Sequence, residues 1–303
     1  MTDLVIRALD ASDAQLFDTM QDPLDAGAAH RTTRHRPDWK RVALRDGRVI
    51  ARGAWWGGPD DTEPVVLNWF DVAEGEQEAG VELLRTAPWQ VEAELNLPGG
   101  WRDDPSLRAA ADTRFTALRA AGYELLVERF LYRWTPECGL PERPGRLVFA
   151  PEPDDAVFLD ALRRIHSATL DVHALIAIEQ GGVDQAAQEE LDFFNWCPSP
   201  REWWQVAHTP AGEPVGIHIP AHNPSGPCVG FIGVLPQQRG HGYAYDLLAE
   251  CTHFLVEHGA EFVAGATDQG NHPMAAQFAR AGYPVVRERV NFQFREAATH
   301  DRS

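Results

Sequence analysis

Apolar and polar positions alternate in short blocks along this chain, and turn residues separate the blocks. "RVALRDGRVIARGAW" (41–55) holds two alternating runs around Asp46-Gly47 and predicts a β-hairpin. "QVAHTPAGEPVGIHI" (205–219) repeats that layout around Ala211-Gly212. "VVLNWFDV" (65–72) and "CVGFIGV" (228–234) read as strands. "LVIRAL" near the start and "RLVFAP" (146–151) are short strands, each followed by a predicted helix. The first helix runs from Asp13 onward. The second covers "DDAVFLDALRRIHSATL", where Val157, Leu159, Leu162 and Ile165 recur at near-helical spacing. A further helix begins near Tyr243, with Ala244, Leu247, Leu248, Cys251, Phe254 and Leu255 on one side and Gly259 as its stop.

The pattern occurs twice. "RAAGYELLVERFLYRW" (119–134) and "ARAGYPVVRERVNFQF" (279–294) match at a constant offset of 160 residues. Ala121, Gly122 and Tyr123 face Ala281, Gly282 and Tyr283; Glu128 and Arg129 face Glu288 and Arg289. The aromatic Tyr132 and Trp134 face Phe292 and Phe294. The other blocks follow in the same order in both halves, as a duplicated chain requires. Three prolines and two glycines make "TPECGLPERPGR" (135–146) a linker. Two domains follow, 1–138 and 146–296. Each is α+β, with a mixed, mostly antiparallel sheet flanked by helices. The tail "REAATHDRS" is expected to be unstructured.

Composition narrows the function. The chain has 303 residues, 44% of them apolar, and a formal charge of -18. Length favours two domains of ordinary size. The acidity repels phosphates, which argues against non-specific nucleic-acid binding, and it suits either solubility or a cationic small substrate. No apolar run reaches membrane-spanning length, so no membrane association is expected. "MTDLVIRALDASDAQ" lacks the basic and apolar segments of a signal peptide. Cys138, Cys197, Cys228 and Cys251 are far apart and form no C-x-x-C pair, which argues for a reducing, cytoplasmic setting and against a structural metal.

The most informative stretch is "VLPQQRGHGYAYDLL" (234–248). A strand ends at Val234, Pro236 stiffens the exit, and Gly240 and Gly242 remove side chains where the backbone turns into a helix. Bare amides at a helix N-terminus, with Arg239 at the rim, suit a phosphate or pyrophosphate. No G-x-x-x-x-G-K-[ST] run exists, and no G-x-G-x-x-G opens the first βαβ unit, so neither a nucleoside-triphosphatase loop nor a Rossmann site is indicated. The stretch resembles the acyl-CoA-binding motif Q/R-x-x-G-x-G/A of the GNAT superfamily of acetyl-CoA-dependent N-acetyltransferases, through Arg239, Gly242 and Ala244 after Val234 and Pro236. "NHPMAAQFARAGY" (271–283) resembles a second block of that family through Asn271, Gly282 and Tyr283. The whole chain resembles a tandem GNAT protein.

The resemblance implies a mechanism and a set of residues. An acceptor amine attacks the thioester of acetyl-CoA directly, the cosubstrate lying where the Val234 strand splays from its neighbour. Val234 would stabilise the oxyanion. Leu235, Arg239, Gly240, His241, Gly242, Tyr243, Ala244, Asn271 and Phe278 would complete the cofactor site with it. Many family members protonate the thiolate with a tyrosine where this chain has Phe278, so water or another group must serve, and His272 is a candidate. Asp268 is a candidate base, or else a turn residue with Asn271. His218 faces either the core or the cleft. In 167–204, Asp171, Glu189, Glu190 and Asp192 would attract a cationic amine, with His173 and at most two of Phe193, Phe194, Trp196, Trp203 and Trp204 beside it. In the first half, Gln77 and Gly80 imitate the motif, but Glu74, Glu76, Glu78 and Glu82 surround them, so no CoA is expected there. No metal is implied. The expected partner is a small-molecule amine, the state monomer or homodimer. The alternatives are a longer acyl donor or an acyl-CoA-binding protein without turnover.

Overall fold

The computed structural model describes residues 3–25 and 35–295. The chain forms two compact units, Met1–Glu128 with Arg287–Ser303, and Arg129–Val286. This division differs from the one the linker suggested, because residues 129–134 of the first half fall in the second unit and residues 287–294 of the second half fall in the first.

In the first unit, β1 (Val5–Ala8), β2 (Lys40–Arg45), β3 (Arg48–Trp56), β4 (Val66–Val72) and β5 (Glu92–Pro98) form a sheet in chain order. The turn from β2 to β3 places Asp46 and Gly47 at φ 51 and 74, the left-handed pair that a two-residue hairpin needs. The partners are antiparallel except β4 and β5, which pair in parallel only at Val66–Glu92 and Leu67–Ala93. Helix α1 (Gln77–Arg85) follows β4, and α2 (Pro105–Ala120) follows β5. The sheet is completed by β12 (Val285–Phe294), whose residues 287–292 pair antiparallel with β5. Val290 and Phe292 enter the core there, with the Phe292 ring 5.3 Å from Phe115. The helix expected from Asp13 is a short 3₁₀ segment, Ala14–Thr19.

In the second unit, residues 129–134 of β6 (Tyr123–Trp134) pair antiparallel with β11 (Val263–Asp268). The sheet continues through β10 (Gly226–Val234), β9 (Pro214–Asn223), β8 (Gln205–His208) and β7 (Val148–Pro151). Helices α3 (Asp155–His166) and α4 (Val172–Trp196) precede β8. α5 (Tyr243–Glu257) follows β10, and α6 (His272–Arg280) follows β11. α4 was not anticipated from the sequence. It is broken at Gly182, whose φ of 83 no helix accommodates. The inward residues Ala187, Leu191 and Phe194 join Phe158, Leu162 and Trp204 in one core cluster. The opposite side packs Tyr132, Trp134, Leu248, Cys251, Phe278 and Tyr283 together.

The copies correspond strand for strand. Both carry a register shift on the strand before the turn, at Asn68 and at Gly230. Asp71 therefore occupies the place of Gly233, and Val72 that of Val234. The tail residues 296–303 lie outside the described residues.

Candidate active site

β10 and β11 run parallel but pair only at Cys228–Ala264, and then separate. Val229 to Ile232 and Val234 are half-buried, whereas Val215 to Ala221 on β9 are fully buried. The opening therefore lies on the β11 side of β10. The Leu235 amide donates to Val215 O at 2.9 Å. In an antiparallel ladder successive residues point their polar groups to opposite sides. The Val234 amide, one residue earlier, consequently points away from β9 and into the opening.

Past Val234 the chain makes a single 3₁₀ turn, Pro236–Gln238, and then the glycine turn. Gly240 and Gly242 have φ of 86 and 76, and Gly242 is the N-cap of α5. Arg239, Gly240, His241 and Gly242 are exposed, and Tyr243 and Ala244 half-buried. The amides of Gly240 through Ala244 donate to no carbonyl among the described residues; Tyr245 is the first to do so, to Gly242 O at 3.1 Å. A bare amide cluster at the positive end of a 15-residue helix is an anion site by construction.

The arginine of the motif is placed differently from expectation. The Arg239 guanidinium donates to Ala168 O at 2.6 Å, Val234 O at 3.4 Å and Ile165 O at 3.5 Å. It ties the end of α3 to the end of β10 and does not project from the rim. The cation at the turn is Arg146, which donates to His241 O at 2.9 Å, forms an ion pair with buried Asp246, and stands over the Tyr243 ring.

Asp268 is buried, and both carboxylate oxygens are occupied. Oδ1 accepts from Arg129 Nε at 2.7 Å and Oδ2 from the Val172 amide at 2.8 Å. It anchors the start of α4, and its carbonyl takes the Asn271 amide in the turn. Asn271 caps α6 through its side chain, accepting from the Met274 amide. Phe278 is a core residue and not a cofactor contact. Its ring stacks on Tyr132 at 4.2 Å and is 1% exposed. His272 is exposed at the start of α6. His218 is fully buried beside Phe149 and 3.0 Å from Gln205 Oε1, in the core.

On the acceptor side, Asp171 caps α4 by accepting from Ala174 N and from Arg129 Nη2 at 2.7 Å. Arg129 also donates to His173 Nδ1 at 3.0 Å. This arginine belongs to β6, in the first copy, and its role could not be read from the second copy's motifs. Glu189 accepts from Gln185 and Asp192 from Gln188 along the exposed face of α4. Glu190 has no hydrogen-bond partner among the described residues; its Oε2 lies 3.9 Å from Nε2 of buried His166. Desolvation and the Asp171 charge push the Glu190 carboxyl up to about 7 against the pull of Arg129. Phe194 and Trp204 are core, Phe193 and Trp196 are exposed, and Trp203 packs on Phe254 and His258.

The first unit treats the same places otherwise. Gln77 and Gly80 lie within α1, with Gly80 buried against Val72 and Phe70. Asp71 sits buried between two buried guanidiniums, accepting from Arg52 Nε at 2.8 Å and from Arg114 Nε at 2.9 Å. The Trp69 indole adds a third donor at 2.8 Å. Desolvation pushes the Asp71 carboxyl up, but Arg114 and Arg52 outweigh it and hold it below the usual range. Leu24, Asn68, Asp71, Leu95, Asn96 and Arg114 line the small cavity that remains between β4 and β5.

Residues 169–283 match the model of the acetyltransferase (GNAT) family. Among solved structures, the chain is similar to a GCN5-related N-acetyltransferase from Sphaerobacter thermophilus: 17% identity, 95% of this chain and 94% of that one, TM-score 0.54. It is similar to a GCN5-related glucosamine N-acetyltransferase region of a fungal multi-domain GH3 β-N-acetylglucosaminidase: 14% identity, TM-score 0.57, 96% of this chain but only 38% of that one. A GNAT-family acetyltransferase from Colwellia psychrerythraea gives 12% identity, full coverage of that chain, 96% of this one, and TM-score 0.51. No curated protein matches the chain. The fold is that of these acetyltransferase structures. The matched segment, residues 169–283, lies wholly within the second unit and marks that unit as an acyltransferase domain. No described helix is long and apolar enough to cross a membrane.

Proposed function

We propose that the second unit transfers an acetyl group from acetyl-CoA directly to the amine of a small molecule, and that the first unit holds no CoA. The observation that carries this reading is the exposed run of unpartnered amides from Gly240 to Ala244, placed beside the open flank of β10. The pyrophosphate would rest on those amides, with Arg146 as the nearby cation. The pantetheine arm would follow the gap between β10 and β11. The Val234 amide would meet the thioester oxygen as it gains charge, the moment at which a fixed donor lowers the barrier. In the first unit, Arg114 and Asp71 fill the equivalent gap, which supports a structural role there. Asp268 and Asn271 serve to position α4 and α6, not to exchange protons, and His272 is left as a surface residue.

Isothermal calorimetry with acetyl-CoA, followed by thiol release over a panel of amines, tests the reading. Tight binding with turnover of at least one amine is expected. Binding without turnover would favour an acyl-CoA-binding protein, and no binding would sink both. Gly242→Val forces a branched residue to φ 76 next to Arg146 and should weaken acetyl-CoA binding tenfold or more. Arg239→Ala should weaken it less than threefold, because its guanidinium already serves three carbonyls.

A further inference from the structure

His166 is 3% exposed, and neither ring nitrogen has a hydrogen-bond partner among the described residues. Buried imidazoles without partners are uncommon, and each calls for an explanation. Its neighbours supply one. The ring lies edge-on to Phe231 of β10 at 6.3 Å, and Arg239 binds the carbonyls of Ile165 and Ala168 on either side of it. His166 is thereby fixed close to the end of β10, where the Val234 amide faces the opening. Its other neighbour is Glu190, whose side chain is 28% exposed and so reaches solvent.

We propose that Glu190, backed by the imidazole of His166, is the general base that takes the proton from the incoming ammonium. This assignment rests on the acetyl-transfer reading and names the group that reading lacks. The other carboxylates nearby are committed elsewhere. Asp171 and Asp268 both accept from Arg129 and from backbone amides, which leaves their oxygens already engaged. Facing Glu190 are His166 from α3, Asp171 from the α4 N-cap, and Arg129 from β6, the last also holding His173 and Asp268. The ammonium gives one proton to the Glu190 carboxylate. The freed lone pair forms the C–N bond at the thioester carbonyl, with the oxygen held at Val234. The C–S bond then breaks, and the second proton of the attacking nitrogen passes to the departing thiolate. A carboxyl poised near neutrality is matched to the first transfer, being mostly ionised at pH 8 yet basic enough to accept.

The test is the pH profile of kcat/KM for the acceptor, measured on the full chain with the amine that the thiol-release panel selects. The wild type should show an acid limb with a midpoint near 7. Glu190→Gln should lose on the order of 10²–10⁴-fold in kcat/KM and lose that limb, with acetyl-CoA affinity within twofold of wild type. Glu190→Asp, which keeps a carboxylate one methylene short, should recover part of the rate and shift the limb. Should Glu190→Gln misfold, the shifted limb of Glu190→Asp decides. Retention of rate and limb in a folded Glu190→Gln overturns the assignment alone. A wild type that binds acetyl-CoA but acetylates nothing overturns the enzymatic reading and the base together.

Discussion

His218 sits on β9 with no exposed surface, its Nε2 against the side-chain oxygen of Gln205 and its Nδ1 without a partner among the described residues. Burial pushes its pKa down to about 3. The unfolded chain binds the proton at its ordinary value of about 6.5, and the folded chain refuses it. A depressed folded pKa gives stability that is complete above the unfolded value and is lost as pH falls toward the folded one. Between pH 7 and pH 5 this one group should cost about 2 kcal/mol. Urea unfolding of wild type and His218→Gln at both pH values checks it: the pH-dependent loss should shrink by about that amount in the variant. An unchanged difference would place the acid sensitivity elsewhere. The residue types at such positions were readable in the sequence, but their partners were not. Asp268 is bound by groups 96 and 139 residues away, and Arg239 by carbonyls up to 74 residues away. A spacing rule sees neighbours along the chain, while basicity is set by neighbours in space.

Alternation and helical spacing were enough to place the hairpins, the strands flanking the glycine turn, and α3 and α5. They were not enough for α4, because its 25 residues are interrupted at Gly182 and its apolar side chains lie on both sides, with Leu175, Phe193 and Trp196 exposed. Nor could they reveal that residues 129–134 of β6 pair in the second unit and residues 287–292 of β12 in the first. Those two strands carry nearly the same pattern, Glu-Arg followed by alternating aromatics, so the pattern alone does not say which sheet each joins. A chain ending at residue 284 tests the consequence. It lacks β12, so β5 loses its antiparallel partner and Phe115 loses the ring of Phe292. Two large buried side chains removed from one core cost several kcal/mol. The first unit should therefore open, seen as lost hydrogen-exchange protection in β3 to β5. Full protection there would mean that β12 is dispensable.

Duplication gives the molecule two glycine-and-strand frameworks, and electrostatics gives them different fates. In the second unit the turn is bare amide with Arg146 beside it. In the first, the turn carries Glu74, Glu76 and Glu78, of which Glu76 is paired with Arg45. The gap between β4 and β5 is occupied by Asp71 and Arg114, and breaking that buried pair to open it would cost about 3–5 kcal/mol. No thioester could enter without that cost. The chain should therefore bind one acetyl-CoA, not two, by calorimetry at saturating ligand. Hydrogen exchange should place the protection in α5 and the turn before it, leaving α1 unchanged. Because the whole chain carries a formal charge of -18, the affinity for the anionic cosubstrate should rise with salt up to about 0.15 M, as screening weakens long-range repulsion more than contact with the amides. A stoichiometry of two, or protection appearing at residues 77–85, would show that the first unit has kept the function of its twin.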